Sequence, residues 1–367
     1  MFKVQSYLKK HGLQKLKDEF GINHSIHPEL PLVILNYDQI KSPKNLQIVR
    51  ECRGLTLNLD DWSLVARSFY RFFNLGESQI EKFDFSNFKV QSKEDGSLVV
   101  IYYFNGNWHV NTRGSFANDK MKFQEFTWKD AICKALNLSH LNQLDNVLDK
   151  RLTYVCEFVS PYNKIVRKYE EESLYLIAIF KGYHEIDIDY SQIGIFKFPE
   201  VFLFHSIDQI HEYLTYKSKN DPTFEGVVIR DKNFNRLKIK NKSYLKLHKI
   251  RGNGEDMFSP KNILPFILSG EKDELFTYFP EVSDTYYKYE TIVNSQWDEL
   301  CKIWSENHKI ESQKDFAFAI LNKTPYSHIL FEVRRNQGSN QTLEHLKQKW
   351  EKSCDSILKN FKNNLTN

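Results

Sequence analysis

The chain has 367 residues, 51 lysines and arginines against 47 aspartates and glutamates, and 41% hydrophobic content, which supplies one or two cores and excludes a disordered chain. No apolar run approaches the ~18–20 residues that span a bilayer, and Met1-Phe2-Lys3-Val4-Gln5-Ser6 has no signal core, so a soluble, cytoplasmic protein without a membrane partner is expected. Five scattered cysteines, Cys52, Cys133, Cys156, Cys301 and Cys354, form no Cys-x-x-Cys pair and argue against a disulfide framework and a zinc site.

In chain order, residues 1–20 read as a short amphipathic helix and 32–35 as a buried strand. His24 and His27 stand at i and i+3, but no third ligand accompanies them and they are discounted as a metal pair. Strands follow at 88–93, 98–104 and 108–112, the last two joined by an Asn105-Gly106-Asn107 turn. A helix near 120–136 precedes strands at 152–159 and 173–180, a helix at 207–216, and strands at 225–230 and 236–240. This pattern predicts an α+β domain on antiparallel sheet. After Arg251-Gly252-Asn253-Gly254-Glu255-Asp256, a polar stretch read as a linker, Tyr289, Ile292, Val293, Trp297, Leu300, Cys301 and Trp304 fall at helical spacing. Leu343, Leu346, Trp350, Ile357 and Phe361 do the same, and both stripes are read as core of an all-helical domain. The expected division is 1–249 and 250–367.

Lys93-Glu94-Asp95-Gly96-Ser97-Leu98 lies between two predicted strands and would hold a lysine at the mouth of a sheet. A nucleophilic lysine must lose its proton, so neighbouring cations or desolvation must favour the neutral amine, and the basic strand at Lys238 and Lys240 is the expected source of that field. The plainer reading of the segment is a hairpin turn. Glu157 in Tyr154-Val155-Cys156-Glu157-Phe158-Val159 and Glu225 in Glu225-Gly226-Val227-Val228-Ile229 are carboxylates in apolar strands, where an unpaired charge is costly. Their plainer reading is a structural ion pair. Eight cations and no acid occur between Lys232 and Arg251, and Leu237-Lys238-Ile239-Lys240 alternates at period two, so both lysines share a strand face suited to a polyphosphate. The plainer reading of that run is a solvated basic face. There is no Gly-x-x-x-x-Gly-Lys-Ser/Thr loop, and Gly252-Asn253-Gly254 lacks the third glycine of a dinucleotide fingerprint.

The ordered set Lys93-Glu94-Asp95-Gly96, Glu157, Glu225-Gly226 and Lys238-Ile239-Lys240 resembles the covalent nucleotidyltransferases, the superfamily of polynucleotide ligases and capping enzymes. The flanks Glu51-Cys52-Arg53-Gly54, Arg71-Phe72-Phe73-Asn74-Leu75-Gly76-Glu77 and Glu157-Phe158-Val159-Ser160-Pro161 narrow the resemblance to the RNA ligase 1 family of T-even phages, from about Leu35 to Lys240. The resemblance implies an ATP-dependent RNA ligase with a lysyl-AMP intermediate on Lys93, Mg²⁺ or Mn²⁺, and RNA bearing 5′-phosphate and 3′-hydroxyl ends, with cleaved tRNA one such substrate. It implies that Arg53 and Glu157 contact the ribose, that Tyr37 and Tyr175 line the adenosine pocket, and that Arg71, Arg113, Glu225, Lys238 and Lys240 complete the nucleotide site. Arg71 stands where the family usually has lysine; arginine keeps the charge and adds a bidentate fork. Metal-binding carboxylates are implied at Glu157, Glu225, Asp273 and Glu274. The helical domain is expected to shape RNA specificity, and the protein to act as a monomer. The competing readings are another superfamily member, such as a DNA ligase or a GTP-using capping enzyme, and an inactive RNA-binding or scaffold protein on the same fold.

Overall fold

The computed structural model describes residues 1–77, 83–121, 124–189, 193–252, 256–337 and 342–364. The chain divides into two compact units, Met1–Leu245 and Lys246–Asn367. The first unit carries helix α1 (Lys3–Phe20), strands β1 (Ile22–Ile26) and β2 (Leu32–Tyr37), α2 (Gln47–Glu51), β3 (Arg53–Asn58), β4 (Leu64–Ala66), β5 (Phe73–Asn74), β6 (Phe88–Ser92), β7 (Ser97–Phe104) and β8 (Asn107–Thr112). It continues through α3 (Trp128–Ala135), β9 (Thr153–Val159), β10 (Ser173–Lys181), β11 (His184–Ile186), β12 (Val201–Phe202), α4 (Ile207–Asn220), β13 (Gly226–Asp231), β14 (Arg236–Lys240) and the start of α5 (Lys242–Arg251).

These strands form three sheets, in the orders β1-β2-β3-β4, β11-β10-β9-β7-β8 and β12-β6-β13-β14-β5. All pairings are antiparallel except that of β14 with β5. The α+β reading therefore holds. In the middle sheet Val99, Ile101, Tyr154, Cys156 and Leu176 enter one apolar core with Ile132 of α3 and Leu144. In the third sheet Val90, Val227, Ile229, Leu237 and Ile239 pack on Ile210 and Leu214 of α4. The period-two alternation of Leu237-Lys238-Ile239-Lys240 thus sends its apolar members into core and leaves its lysines on the other face. The basic run does not form one solvated face, since Arg236 and Lys240 are bound to buried carboxylates.

Two expected elements differ. The helix predicted near 120–136 is confined to Trp128–Ala135, because Thr127 caps it, accepting from the Asp130 N–H, and Lys120 bridges Thr127 in extended conformation. The expected linker begins later than its first residue: α5 runs through Arg251, and Asn253, Gly254 and Glu255 lie outside the described residues.

The second unit is helical, with α6 (Pro260–Ser269), α7 (Lys272–Tyr278), α8 (Ser283–Asn307), α9 (Gln313–Ile320), α10 (Ser327–Gln337), α11 (Leu343–Glu351) and α12 (Cys354–Asn364). The buried face of α8 is rotated slightly from the expected stripe: Tyr289, Val293 and Leu300 are buried, but with Gln296 and Ile303 in place of Trp297 and Trp304. Gln296 is accommodated by the Tyr326 hydroxyl, which donates to its side-chain oxygen at 2.9 Å. No helix among the described residues is long and apolar enough to cross a membrane.

Two glycines fix how the strands meet at the Lys93 end of the sheets. A Cβ on Gly96 would lie 2.1 Å from the Phe158 carbonyl oxygen, and one on Gly226, at φ 140°, would lie 2.2 Å from the Ile239 carbonyl oxygen. Gly226→Ala is therefore expected to destabilise the first unit by about 1–3 kcal/mol or to prevent its folding, read by thermal melting.

Candidate functional site

Lys93 sits where the chain leaves the third sheet for the middle one, since β6 and β7 belong to different sheets. The hairpin reading of Lys93-Glu94-Asp95-Gly96 is thereby overturned: the segment is an inter-sheet crossover. Its backbone is tied to β13 by the Lys93 N–H, which donates to the Gly226 carbonyl at 2.9 Å. Its side chain, 22% exposed, donates to Glu225 Oε2 at 2.6 Å. The other oxygen of the same carboxylate, Oε1, lies 2.8 Å from Lys240 Nζ. Glu225 is only 3% exposed, so one buried carboxylate bridges two ammonium groups, one from the residue after β6 and one from the end of β14.

Glu157 enters from β9, opposite Leu98 of β7 and opposite Tyr175 of β10, so the three side chains share one face of the middle sheet. Unlike Glu225, it has no hydrogen-bond or ion-pair partner among the described residues. Burial pushes its carboxyl up to about 7, with the Lys93 charge opposing the rise and Glu225 adding to it.

The charge state of Lys93 differs from the expectation. Burial does act to lower it, but the Glu225 and Glu157 carboxylates outweigh burial and hold the ammonium above its ordinary range. Glu225 moves the opposite way: burial acts to raise it, and Lys93 and Lys240 together bring it below the usual carboxylate range. The depression expected at Lys93 falls instead on Lys238, lowered to about 8 by burial and by Lys240, Lys93, Arg53 and Arg71. The physical reason is proximity: the residue before β13, Glu225, and not a cation of the basic strand, stands against the Lys93 amine.

Behind the lysine lies a polar network that the sequence reading did not single out. Asp95 is 2% exposed; its Oδ2 accepts from the N–H groups of Val166 and Arg167, both at 2.8 Å, and its Oδ1 accepts from the Tyr244 hydroxyl at 2.6 Å. The Tyr169 hydroxyl donates to Glu94 Oε2 at 2.9 Å and accepts from the Asp95 N–H at 3.0 Å. These bonds lock both residues that follow Lys93 and hold them away from its side chain, whose partner is Glu225. The available signal was Asp95 itself, an acid next to glycine; Tyr169 and Tyr244 carried none.

The predicted arginines divide by environment. The Arg53 guanidinium stacks over Phe69 at 5.1 Å and Phe72 at 5.6 Å, and Lys238 Nζ lies 5.8 Å from the Phe72 centroid. Arg71 stacks on Phe73 at 4.4 Å and approaches Glu77 at 3.9 Å. Arg53 Nε and Arg71 Nη1 are buried without a hydrogen-bond partner. Arg113 covers the ring of Tyr37 at 5.3 Å, and Tyr37 is 3% exposed. With the Gln39 amide turned to present its oxygen, that oxygen accepts from Arg113 Nη1 at 2.5 Å and Nη2 at 2.9 Å. Asp273 belongs to α7 of the helical unit, and the side chain of Glu274 lies outside the described residues.

No group of three or more metal-ligating side chains occurs among the described residues. A Glu157 without a partner among the described residues, beside Glu225, nonetheless fits a hard divalent cation of the kind that takes one or two protein carboxylates and completes its shell with phosphate oxygens and water. The orphaned guanidinium nitrogens fit the same phosphates.

Comparison with known proteins accords with this constellation. A family model described as RNA ligase, of the T4 type, matches residues 51–244, a span that includes Lys93, Glu157, Glu225, Lys238 and Lys240. A protein of Autographa californica nuclear polyhedrosis virus, provisionally named a bifunctional polynucleotide kinase/RNA ligase, is 32% identical over 306 residues, 79% of this chain and 43% of its own. This chain therefore spans less than half the length of that relative. An RNA ligase of Rhodothermus phage RM378 is 25% identical over 347 residues, 74% of this chain and 78% of its own. Among solved structures, a protein from Aquifex aeolicus provisionally named an ATP-dependent DNA ligase superposes with a TM-score of 0.47 at 16% identity, covering 86% of each chain. The match through the whole Lys93-to-Lys240 constellation decides the matter of kinship, and the chain belongs to the RNA ligase family of the T4 RNA ligase 1 type.

Proposed function

We propose that the protein is an ATP-dependent RNA ligase that joins a 5′-phosphate to a 3′-hydroxyl through AMP carried on Lys93. The observation that carries this reading is the Lys93–Glu225–Lys240 bridge, with its 2.6 Å and 2.8 Å contacts. An inert scaffold has no need of a buried carboxylate shared between two lysines.

In the first step the Lys93 amine forms a bond to the α-phosphorus of ATP, and the bond to pyrophosphate breaks. Lys93 must first release a proton, and Glu225 Oε2 is the acceptor within hydrogen-bond reach. In the second step an oxygen of the RNA 5′-phosphate attacks the same phosphorus and Lys93 leaves as the amine. In the third, a 3′-hydroxyl attacks the 5′-phosphorus and AMP departs. Lys238, Lys240, Arg53, Arg71 and Arg113 supply positive charge along the phosphates as these displacements proceed. When bound, Mg²⁺ or Mn²⁺ neutralises phosphate charge, and Glu157 and Glu225 are the residues that would hold it. Tyr175, on the Glu157 face of the sheet, is assigned to the adenosine, while Tyr37 acts through the Arg113 guanidinium stacked on it. Asp273 and Glu274 are left as candidate outer carboxylates. The helical unit is assigned to RNA selection, with a broken tRNA loop as one substrate of the required chemistry.

Incubation with ATP labelled at the α-phosphate, followed by denaturing electrophoresis, tests the first step directly. Wild type is expected to carry acid-labile, alkali-stable label, and Lys93→Ala none; label persisting in that variant would reject the assignment. Lys238→Ala and Lys240→Ala are each expected to slow labelling or sealing by about 10²–10³, the usual size of such electrostatic contributions.

Glu157 gives a pH test. Its native value of about 7 lies above the unfolded value of about 4.3, so between the two the native state binds the extra proton. Its contribution to stability is complete below about pH 4.3 and is lost as pH rises through about 7. In metal-free protein, Glu157→Gln should therefore raise the melting temperature relative to wild type more at about pH 8 than at about pH 5. A constant offset at both would show that Glu157 is ionised throughout.

A further inference from the structure

We infer that a cavity of about 640 Å³ in the first unit, walled by Phe69, Phe72 and Phe180 and by the guanidinium groups of Arg50, Arg67 and Arg71, receives the 5′-phosphorylated terminal nucleotide of the RNA. The inference rests on the ligase reading above. None of the residues that line this cavity is Lys93, Glu157 or Glu225, so it is a separate space from the one in which the nucleophile stands. The two share a partition. Phe69 and Phe72 line the cavity, and the same rings are stacked by Arg53 and, at Phe72, approached by Lys238.

The charge on the cavity wall is unbalanced. Glu185 also lines it, but this carboxylate is engaged by both arms of Arg236, one at 2.7 Å, and by Arg230 at 3.4 Å. Arg67, 5% exposed, donates from Nη1 to the Tyr183 carbonyl at 2.6 Å and from Nε to the Ser68 carbonyl at 3.0 Å, and lies 4.5 Å from the Phe180 centroid. No carboxylate forms an ion pair with it among the described residues. Arg50 likewise lacks one, reaching only the Arg71 carbonyl at 3.4 Å and the Phe73 ring at 5.2 Å. Arg71 has Glu77 no nearer than 3.9 Å, and its Nη1 is buried without a partner. Three guanidinium groups thus line one cavity with a single carboxylate among the described residues, Glu77 at 3.9 Å from Arg71, in ion-pair range of any of them, an arrangement that costs stability unless a ligand supplies the negative charge.

The rest of the wall says what else the ligand carries. A bare inorganic anion needs cations and no rings, whereas the half-exposed rings of Tyr70, Phe72, Tyr183 and Phe234 beside the arginines suit a base joined to a phosphate. Arg71 and Phe72 form the part of the wall toward Lys238, so a phosphate held there would lie on the side of the group assigned to the α-phosphate. The nucleotide whose phosphate must reach that place in the second step is the 5′ end of the RNA.

The test is fluorescence anisotropy of a 3′-labelled, single-stranded RNA hexamer, 5′-phosphorylated or 5′-hydroxyl, on the full chain without ATP. Wild type should prefer the phosphorylated oligomer by about tenfold, the size of one charge-assisted contact, and Arg50→Gln should remove most of that preference. His184→Trp, at an exposed position on the cavity wall, keeps every arginine and should weaken both oligomers by narrowing the entrance. If Arg50→Gln does not fold, the His184→Trp result decides alone. A wild type indifferent to the 5′-phosphate, or variants that bind both oligomers as wild type does, would overturn the inference. So would an Arg50→Gln protein with unchanged RNA binding and a raised ATP requirement for Lys93 labelling, which would give the cavity to the triphosphate tail. The binding needs no adenylylation, so a 5′-phosphate preference in wild-type protein that takes up no label on Lys93 when ATP is supplied separately would reject the ligase reading and keep the cavity assignment.

Discussion

Glu225 is the constraint on which the rest of the first unit's chemistry depends. A carboxylate this buried needs compensation, and it has two ammonium groups, Lys93 at 2.6 Å and Lys240 at 2.8 Å. The backbone on either side is fixed as well. The Glu225 carbonyl accepts from the Asn241 N–H at 3.0 Å, and the next carbonyl, Gly226, accepts from the Lys93 N–H at 2.9 Å. The crossover between sheets, the start of β13 and the end of β14 are therefore registered to one another by one acid and its neighbours. Lys240 shares Glu225 in consequence, so that this acid is not committed wholly to Lys93.

That arrangement also sets the problem that the proposed chemistry must solve. A lysine paired with a buried carboxylate stays protonated and is no nucleophile. The same pairing places a proton acceptor at 2.6 Å, so activation requires only that the balance between Lys93 and Glu225 shift. Glu157 stands beside this pair with its proton held more tightly than an ordinary carboxyl holds one, up to about 7, and with no competing partner among the described residues. Any added positive charge near Glu157 favours its ionised form and, with it, the binding of that charge.

The features legible in the sequence were those that depend on short-range pattern. Period two placed Lys238 and Lys240 on one face, and the two acids stood out because an apolar strand has no ordinary use for them. Spacing could not say which groups the fold would bring to within 3 Å of Lys93, and so the sign of its displacement was misjudged: the lysines of β14 are near, but Glu225 lies between. The tyrosines at 169 and 244 were silent for a similar reason. They lie 75 and 149 residues from the partners they bind, and nothing local in an isolated tyrosine records that distance. The misread helix near 120–136 failed on a different point, since Thr127 is a stronger start signal than the apolar residues before it.

Arg71 shows how a departure from the family pattern can be read in the same physical terms. A lysine at this place would present a single ammonium. The arginine instead lays its plane on Phe73 at 4.4 Å and keeps Glu77 at a distance of 3.9 Å, while Nη1 remains buried and unsatisfied. An unsatisfied buried donor costs about 1–3 kcal/mol, and Arg53 Nε is a second one. A fold that keeps two such donors beside Lys238 is incomplete by itself, and the deficit is of one sign. It is made good by an acceptor that carries several oxygens and negative charge, which is the chemistry of a phosphate chain. The substitution thus preserves the function of the position by a different geometry, with stacking fixing the fork and leaving one edge for the ligand.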